Sequence, residues 1–223
     1  MIGSGIWLLL PWGIVVGMDL TTVPQIGLSR PLVAGAVAGL LLGDVQAGLM
    51  IGAVLELFAL DVLPVGASKY PDYGLGAIAG ATVLANAPIA LGLGLAVFVG
   101  LTVAYIGGKG IHAVRAGNTA DVAARARDID SGLASVVNLL HARGLLRDAV
   151  RAAAVTGIGI GLAMVVRNLG YPSTRVAVMA TLVALGAALA SSMGGAVNVA
   201  GRTPGVRMYI IGGTIGLAWL VMA

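Results

Sequence analysis

The amino-acid sequence predicts an all-α integral membrane protein, a polytopic helical bundle with broken or re-entrant segments, and three observations carry that prediction. With 59% hydrophobic and 10% charged residues in 223, and a mean hydropathy of +1.02, the chain lacks the polar surface of a water-soluble globule and must be solvated by lipid. Hydrocarbon about 30 Å thick requires about 20 mostly apolar residues per spanning helix, and several apolar stretches here are separated by short polar breaks. The 35 glycines include runs at four-residue spacing such as Gly35, Gly39 and Gly43, which let helix backbones approach closely in lipid. A single domain over residues 1–223 follows.

Residues 5–23 form the first apolar segment, broken by Pro11 and ending in Thr21-Thr22-Val23-Pro24-Gln25. No Lys or Arg precedes it, so it reads as a first membrane helix rather than a signal peptide. After Ser29-Arg30-Pro31, the runs 32–42 and 45–60 are separated only by Gly43-Asp44. Each is too short for a full crossing, as expected of re-entrant or broken segments that line protein or a wet cavity. Such segments point to a binding site near the bilayer midplane. Residues 61–73, with Pro64, Gly66, Ser68, Lys69, Tyr70, Pro71 and Asp72, read as a loop or hairpin tip. Apolar residues resume over 75–84 and, after Asn86 and Pro88, over 89–106.

Over residues 107–151, Lys109, Arg115, Arg125, Arg127, Arg143, Arg147 and Arg151 stand against Asp121, Asp128, Asp130 and Asp148. That positive excess predicts a cytoplasmic loop, and the interspersed Val136, Val137, Leu139, Leu140, Leu145 and Leu146 predict amphipathic helices at the interface. Apolar segments follow near 149–166, 174–190 and 206–222, with 191–203 as another candidate re-entrant element.

The residues exclude several chemistries. Cys is absent, which removes disulfides, thiolate metal ligands and any cysteine-borne intermediate. No P-loop, zinc-type His/Glu spacing or nucleophile elbow occurs, and no catalytic residue, metal site or cofactor is expected. The net charge of +4 comes from scattered basic residues without interleaved aromatics, so nucleic acid is not an expected partner. His112 and His141 lack a phosphoryl-acceptor motif and read as interface residues contacting phospholipid or a soluble partner.

Glu56 is the most informative residue, because an ionised carboxylate within residues 49–60 would cost about 2.5 kcal/mol or more facing lipid. It must face a cavity, where it could clasp sugar hydroxyls, or a partner in an internal ion pair; residue chemistry leaves both open. Asp61 and Asp72, with Ser68, Lys69 and Tyr70, could serve a polyol ligand or a plain solvated loop. Asp44, after a glycine, reads as a helix cap.

Arg30-Pro31-Leu32-Val33-Ala34, then Gly43-Asp44, then Gly52-Ala53-Val54-Leu55-Glu56-Leu57, then Gly66-Ala67 and Pro71-Asp72, in this order and spacing, resemble the IIC component of mannose/fructose/sorbose-type phosphotransferase systems. The match is strong over residues 29–85, and His141 and Arg151 keep a family-like spacing beyond it. The resemblance implies a multi-pass subunit of the bacterial cell (inner) membrane within an oligomeric complex. Its partners would be a IID membrane subunit and soluble IIA and IIB units that carry the phosphoryl group. It would pass a hexose or amino sugar to the cytoplasm, where IIB phosphorylates it. The resemblance places Glu56 and Asp72 in the sugar-binding region, with Gly66, Ala67 and Ser68 shaping the loop. Asp44, Asp61 and Lys69 are secondary candidates. The chain departs from the family pattern in having Pro24-Gln25 where relatives carry an acid, and Asp61, Pro64 and Lys69 in the hairpin. The alternatives are a non-transporting structural or regulatory membrane subunit, and an intramembrane enzyme using Glu56 or His141 as base, for which no accompanying nucleophile or metal cluster is present.

Overall fold

The computed structural model describes residues 4–61 and 68–200. A 3-10 turn, Ser4–Leu8, leads into α1 (Leu9–Thr21), followed by α2 (Pro31–Leu42), α3 (Val45–Ala59), α4 (Tyr73–Leu84), α5 (Ile89–Ala124), α6 (Ala126–Asp130), α7 (Ala134–Leu169) and α8 (Thr174–Ala200). Three of these, α5, α7 and α8, are long and apolar enough to cross a membrane, whereas α1 to α4 are shorter apolar helices. The exterior is itself apolar: Trp7, Phe98, Leu169, Leu182 and Val183 are among the exposed large side chains, as lipid contact requires.

Helices α2 and α3 form a helical hairpin. Pro31 suits the first helical position of α2, where no intrahelical N–H bond is lost. Gly43 ends α2 at φ 77°, a left-handed cap that glycine adopts freely. Asp44 then caps α3 by accepting from the Ala47 N–H at 3.0 Å, as its place after a glycine predicts. The two helices pack glycine to glycine: a Cβ on Gly48 would lie 2.8 Å from Gly39 Cα, so no side chain fits between the backbones. At the hairpin tip, the second Asp44 oxygen accepts from the Asn86 N–H at 2.8 Å, joining the tip to the end of α4. Arg167 Nη1 caps that same end, donating to the carbonyls of Thr82, Val83 and Ala85 at 2.6–3.2 Å.

Three expectations change. Pro11 does not break the first segment; it sits in the first turn of α1, where a missing N–H costs no intrahelical bond. Residues 191–200 continue α8 instead of interrupting it, and the expected apolar segment 206–222 lies outside the described residues. Residues 107–151 are not a loop with helices lying at the interface. They are the continuations of α5 and α7, two helices of 36 residues, each about 54 Å long and so far longer than the hydrocarbon layer. The short α6 joins them, and Arg147 holds them together by donating to Asn118 Oδ1 at 2.7 Å and Asp121 Oδ2 at 2.9 Å. The leucines and valines that looked like a membrane-facing stripe lie along a paired helical arm, with Val136 buried and Val137 and Leu139 exposed.

Gly48→Leu should pry α2 from α3. We expect about 1–3 kcal/mol of lost stability, the usual cost of overpacking, read as a lower midpoint in detergent unfolding, with Gly132→Leu not a valid control because Gly132 holds φ 76° and Gly157→Leu, which meets open space, serving instead.

Candidate functional site

At the end of the bundle opposite the hairpin tip, the ends of α1, α2, α3 and α4 converge. Asp19, buried near the end of α1, accepts from the backbone N–H of Ile26 at 2.7 Å and Ser29 at 2.8 Å. One carboxylate thereby folds the α1–α2 connection and delivers Arg30 to the start of α2. Arg30 forms an ion pair with Glu56 on α3, and Glu56 Oε2 also accepts from the Leu32 N–H at 3.2 Å in the first turn of α2. The Glu56 side chain is 17% exposed and that of Arg30 56% exposed, so the pair stands at an accessible edge. The carboxylate is placed where both a guanidinium and a helix N-terminus attract it. Of the two readings of Glu56, the internal ion pair is present, and it lies beside a cavity.

That cavity, about 100 Å³, is lined by residues that include Leu20, Ser29, Arg30, Ala59, Tyr70 and Tyr73. It has room for several waters but is smaller than the roughly 300 Å³ at which ligand pockets begin. As bounded by the described residues, the cavity is too small for a sugar ring.

Asp72 lies deeper. It is fully buried, with Oδ1 accepting from the Leu75 N–H at 3.2 Å as the cap of α4, and Oδ2 accepting from Arg151 Nη1 at 2.7 Å. Its own N–H donates to the Ala104 carbonyl at 2.8 Å, and a Cβ on Gly107 would fall 2.6 Å from Asp72 Cβ. Asp72 offers no surface to a ligand here; it locks α4 onto α5 and α7. Arg151 completes the cluster, with Nε donating to Asp148 Oδ1 at 2.7 Å and Nη2 to the Gly17 carbonyl at 2.8 Å. The hydroxyls of Thr21 and Thr22 reach Asp148 Oδ2 at 2.6 and 2.7 Å. Among the described residues no buried side-chain nitrogen or oxygen lacks a partner.

The other candidates separate. Gly66 and Ala67 lie outside the described residues. Asp61 sits past the end of α3, where α8 abuts it at Gly195. The Ser68 carbonyl accepts from Arg115 Nη1 at 3.1 Å, and Lys69 is exposed beside a different cavity, with His112. His141 lines a groove between the two halves of the α5–α7 arm. Asp148 and Arg151, read from the sequence as loop charges, are the buried centre of the bundle. The signal that could have found them is their i, i+3 spacing at the very start of an apolar run.

Removing Arg151 strands two buried carboxylates. Arg151→Met should cost about 3–5 kcal/mol, measured as loss of folded protein in detergent titration. Asp72→Asn combined with Arg151→Met should cost less than the sum of the two single changes.

Residues 5–193 match the model of the family described as "PTS system sorbose-specific iic component". Among curated proteins, the chain is similar to the PTS system sorbose-specific EIIC component of Klebsiella pneumoniae, 44% identical over 69 residues, 30% of this chain and 26% of that one. It is 31% identical over 124 residues to the PTS system mannose-specific EIIC component of Escherichia coli K12, covering 56% of this chain and 46% of the relative. It is 30% identical over 149 residues to the PTS system sorbose-specific EIIC component of Lacticaseibacillus casei, covering 66% and 52%. These alignments span from about a quarter to about half the length of the relatives. In fold, the chain resembles a solved structure described only as that of a membrane protein, with a TM-score of 0.75 and 23% identity. It also resembles a chain of the mannose transporter ManYZ in complex with microcin E492, with a TM-score of 0.61 and 22% identity; both likenesses cover 100% of this chain and 96% of the other. An all-α membrane bundle whose sequence matches the family model over most of its length belongs to the family of phosphotransferase-system sorbose-specific IIC components.

Proposed function

We propose that this chain is the sugar-translocating subunit of a phosphoenolpyruvate-dependent phosphotransferase system in the bacterial inner membrane. It binds a hexose or amino sugar and passes it to the cytoplasm for phosphorylation by a IIB unit. A IID-type membrane subunit completes the pathway, and soluble IIA and IIB units carry the phosphoryl group, so this chain performs no covalent step.

The observation that supports this most directly is the Arg30/Glu56 pair at the open end of a short helical hairpin, beside a small cavity. A carboxylate accepts and a guanidinium donates, so together they match both hydrogen-bonding senses of neighbouring sugar hydroxyls. In the closed form each satisfies the other, and sugar must displace part of that pairing. The exchange of one hydrogen-bonded set for another keeps both charges solvated throughout. The hairpin packs as a unit by backbone contact, which suits rigid-body movement of a sugar-bearing element past the long helices. Asp72 contributes by holding α4 in place, not by touching sugar.

Uptake of radiolabelled hexoses and amino sugars by cells expressing the chain with its neighbouring IIB and IID genes tests this reading. Wild type should accumulate at least one sugar, dependent on phosphoenolpyruvate, and Glu56→Gln should lower that uptake at least tenfold at unchanged membrane levels. A wild-type complex that assembles yet takes up none of the sugars would instead assign the chain a structural or regulatory role.

A further inference from the structure

A second cavity, about 520 Å³, opens where α5 leaves its apolar run. One wall is a single face of α5, carrying Tyr105, Lys109 and His112. The other is the extended stretch before α4, with Lys69, Tyr70 and Pro71. Both walls are braced. The Lys109 ammonium stands over the Tyr105 ring, 5.2 Å from its centroid. Arg115 donates to the Tyr70 hydroxyl at 2.8 Å and lies 5.3 Å from the centre of its ring.

Among the described residues, two ammonium groups and an imidazole line the cavity, and no carboxylate does. Asp72, the nearest acid along the chain, is buried and taken by Arg151. The cavity also adjoins an exposed aromatic surface of α5. Tyr105 is 61% exposed, and Phe98, seven residues earlier on the same helical face, is 68% exposed. Exposed aromatic rings therefore run from the basic cavity along the apolar part of α5, a long apolar helix, and tyrosine is a residue whose amphipathic ring favours the membrane interface.

We propose that this cavity binds the headgroup of an anionic phospholipid of the phosphatidylglycerol type. Lys69 and Lys109 pair with the phosphodiester, His112 and the Tyr105 hydroxyl hydrogen-bond to its oxygens, and one acyl chain lies along Tyr105 and Phe98. A free phosphate would have no use for the aromatic track and would leave most of the volume empty. A lipid fills both parts. Because Tyr70 and Pro71 also line the cavity beside Arg30, the headgroup would brace the wall that the two cavities share.

Native mass spectrometry of the full-length chain in neutral detergent, equilibrated with phosphatidylglycerol, phosphatidylcholine or inorganic phosphate, tests the proposal. Phosphatidylglycerol should be retained at least tenfold more tightly than phosphatidylcholine, and millimolar phosphate should not displace it. Each membrane-surface lysine contributes about fivefold, so K69Q/K109Q should lower retention about 25-fold. K69R/K109R should keep it, and Arg143→Gln, on an exposed part of the arm, should change it less than twofold. Equal retention of the two lipids, displacement by phosphate, or a loss in K69R/K109R as large as in K69Q/K109Q would overturn the proposal. So would expulsion of the lipid when the co-expressed IID-type partner binds, since the surface would then belong to a protein interface.

Discussion

The three kinds of donor nitrogen on Arg151 leave α7 among apolar neighbours, and each reaches a different part of the protein: Asp148 on its own helix, Asp72 at the start of α4, and the Gly17 carbonyl of α1. Asp72 extends the connection to α5 through its N–H and the Ala104 carbonyl. Four helices are thus referenced to one guanidinium. Such a group is costly to bury, and it is retained only where every donor is met and the flanking charges are opposite. The planar fork of arginine holds three separate donor nitrogens in fixed directions toward three separate partners, whereas a lysine would bring its three donors to a single point. The two threonines at the end of α1 spread the excess negative charge of Asp148 over further hydrogen bonds.

The hairpin of α2 and α3 is held by different means. Its interior is backbone against backbone, through glycines, and among the described residues its polar ties to the rest are few: Asp44 and the Leu42 carbonyl to Asn86 at the tip, and the Trp12 indole to the Ala34 carbonyl at 3.1 Å along its side. Its open end carries the accessible Arg30/Glu56 pair, while the ion pairs of the Arg151 cluster are enclosed. Buried, fully bonded charge thus anchors the long helices, while the glycine-packed hairpin carries the more accessible pair. The Asp19 carboxylate links the two, since it belongs to α1 yet shapes the turn that presents Arg30.

The basic residues around the end of the apolar part of α5 have three uses in the folded chain. Arg147 and Arg151 turn inward, one to join the arm helices and one to anchor the bundle. Lys69, Lys109 and His112 line a cavity facing outward near the end of the apolar run. Positive charge counted along a sequence therefore mixes charges of opposite purpose, and only their partners tell them apart. Arg115 illustrates a third use, tying the stretch before α4 to α5 through the Tyr70 hydroxyl and the Ser68 carbonyl.

By itself, the sequence determined the membrane class, the two short apolar segments on either side of Gly43-Asp44, the cap at Asp44, and the need for Glu56 to find something other than lipid. Each depends on local composition or on the cost of charge in hydrocarbon, and neither needs knowledge of distant neighbours. The tertiary structure alone decided that Glu56 meets Arg30, that Asp72 is buried against Arg151, and that Asp148 and Arg151 are interior residues. Those outcomes rest on contacts between groups 26, 79 and 134 positions apart, such as Glu56 with Arg30, Asp72 with Arg151 and Gly17 with Arg151. A charge in a polar-looking segment carries no local mark of the helix that will bury it, because burial is set by how whole helices pack and not by the residues on either side.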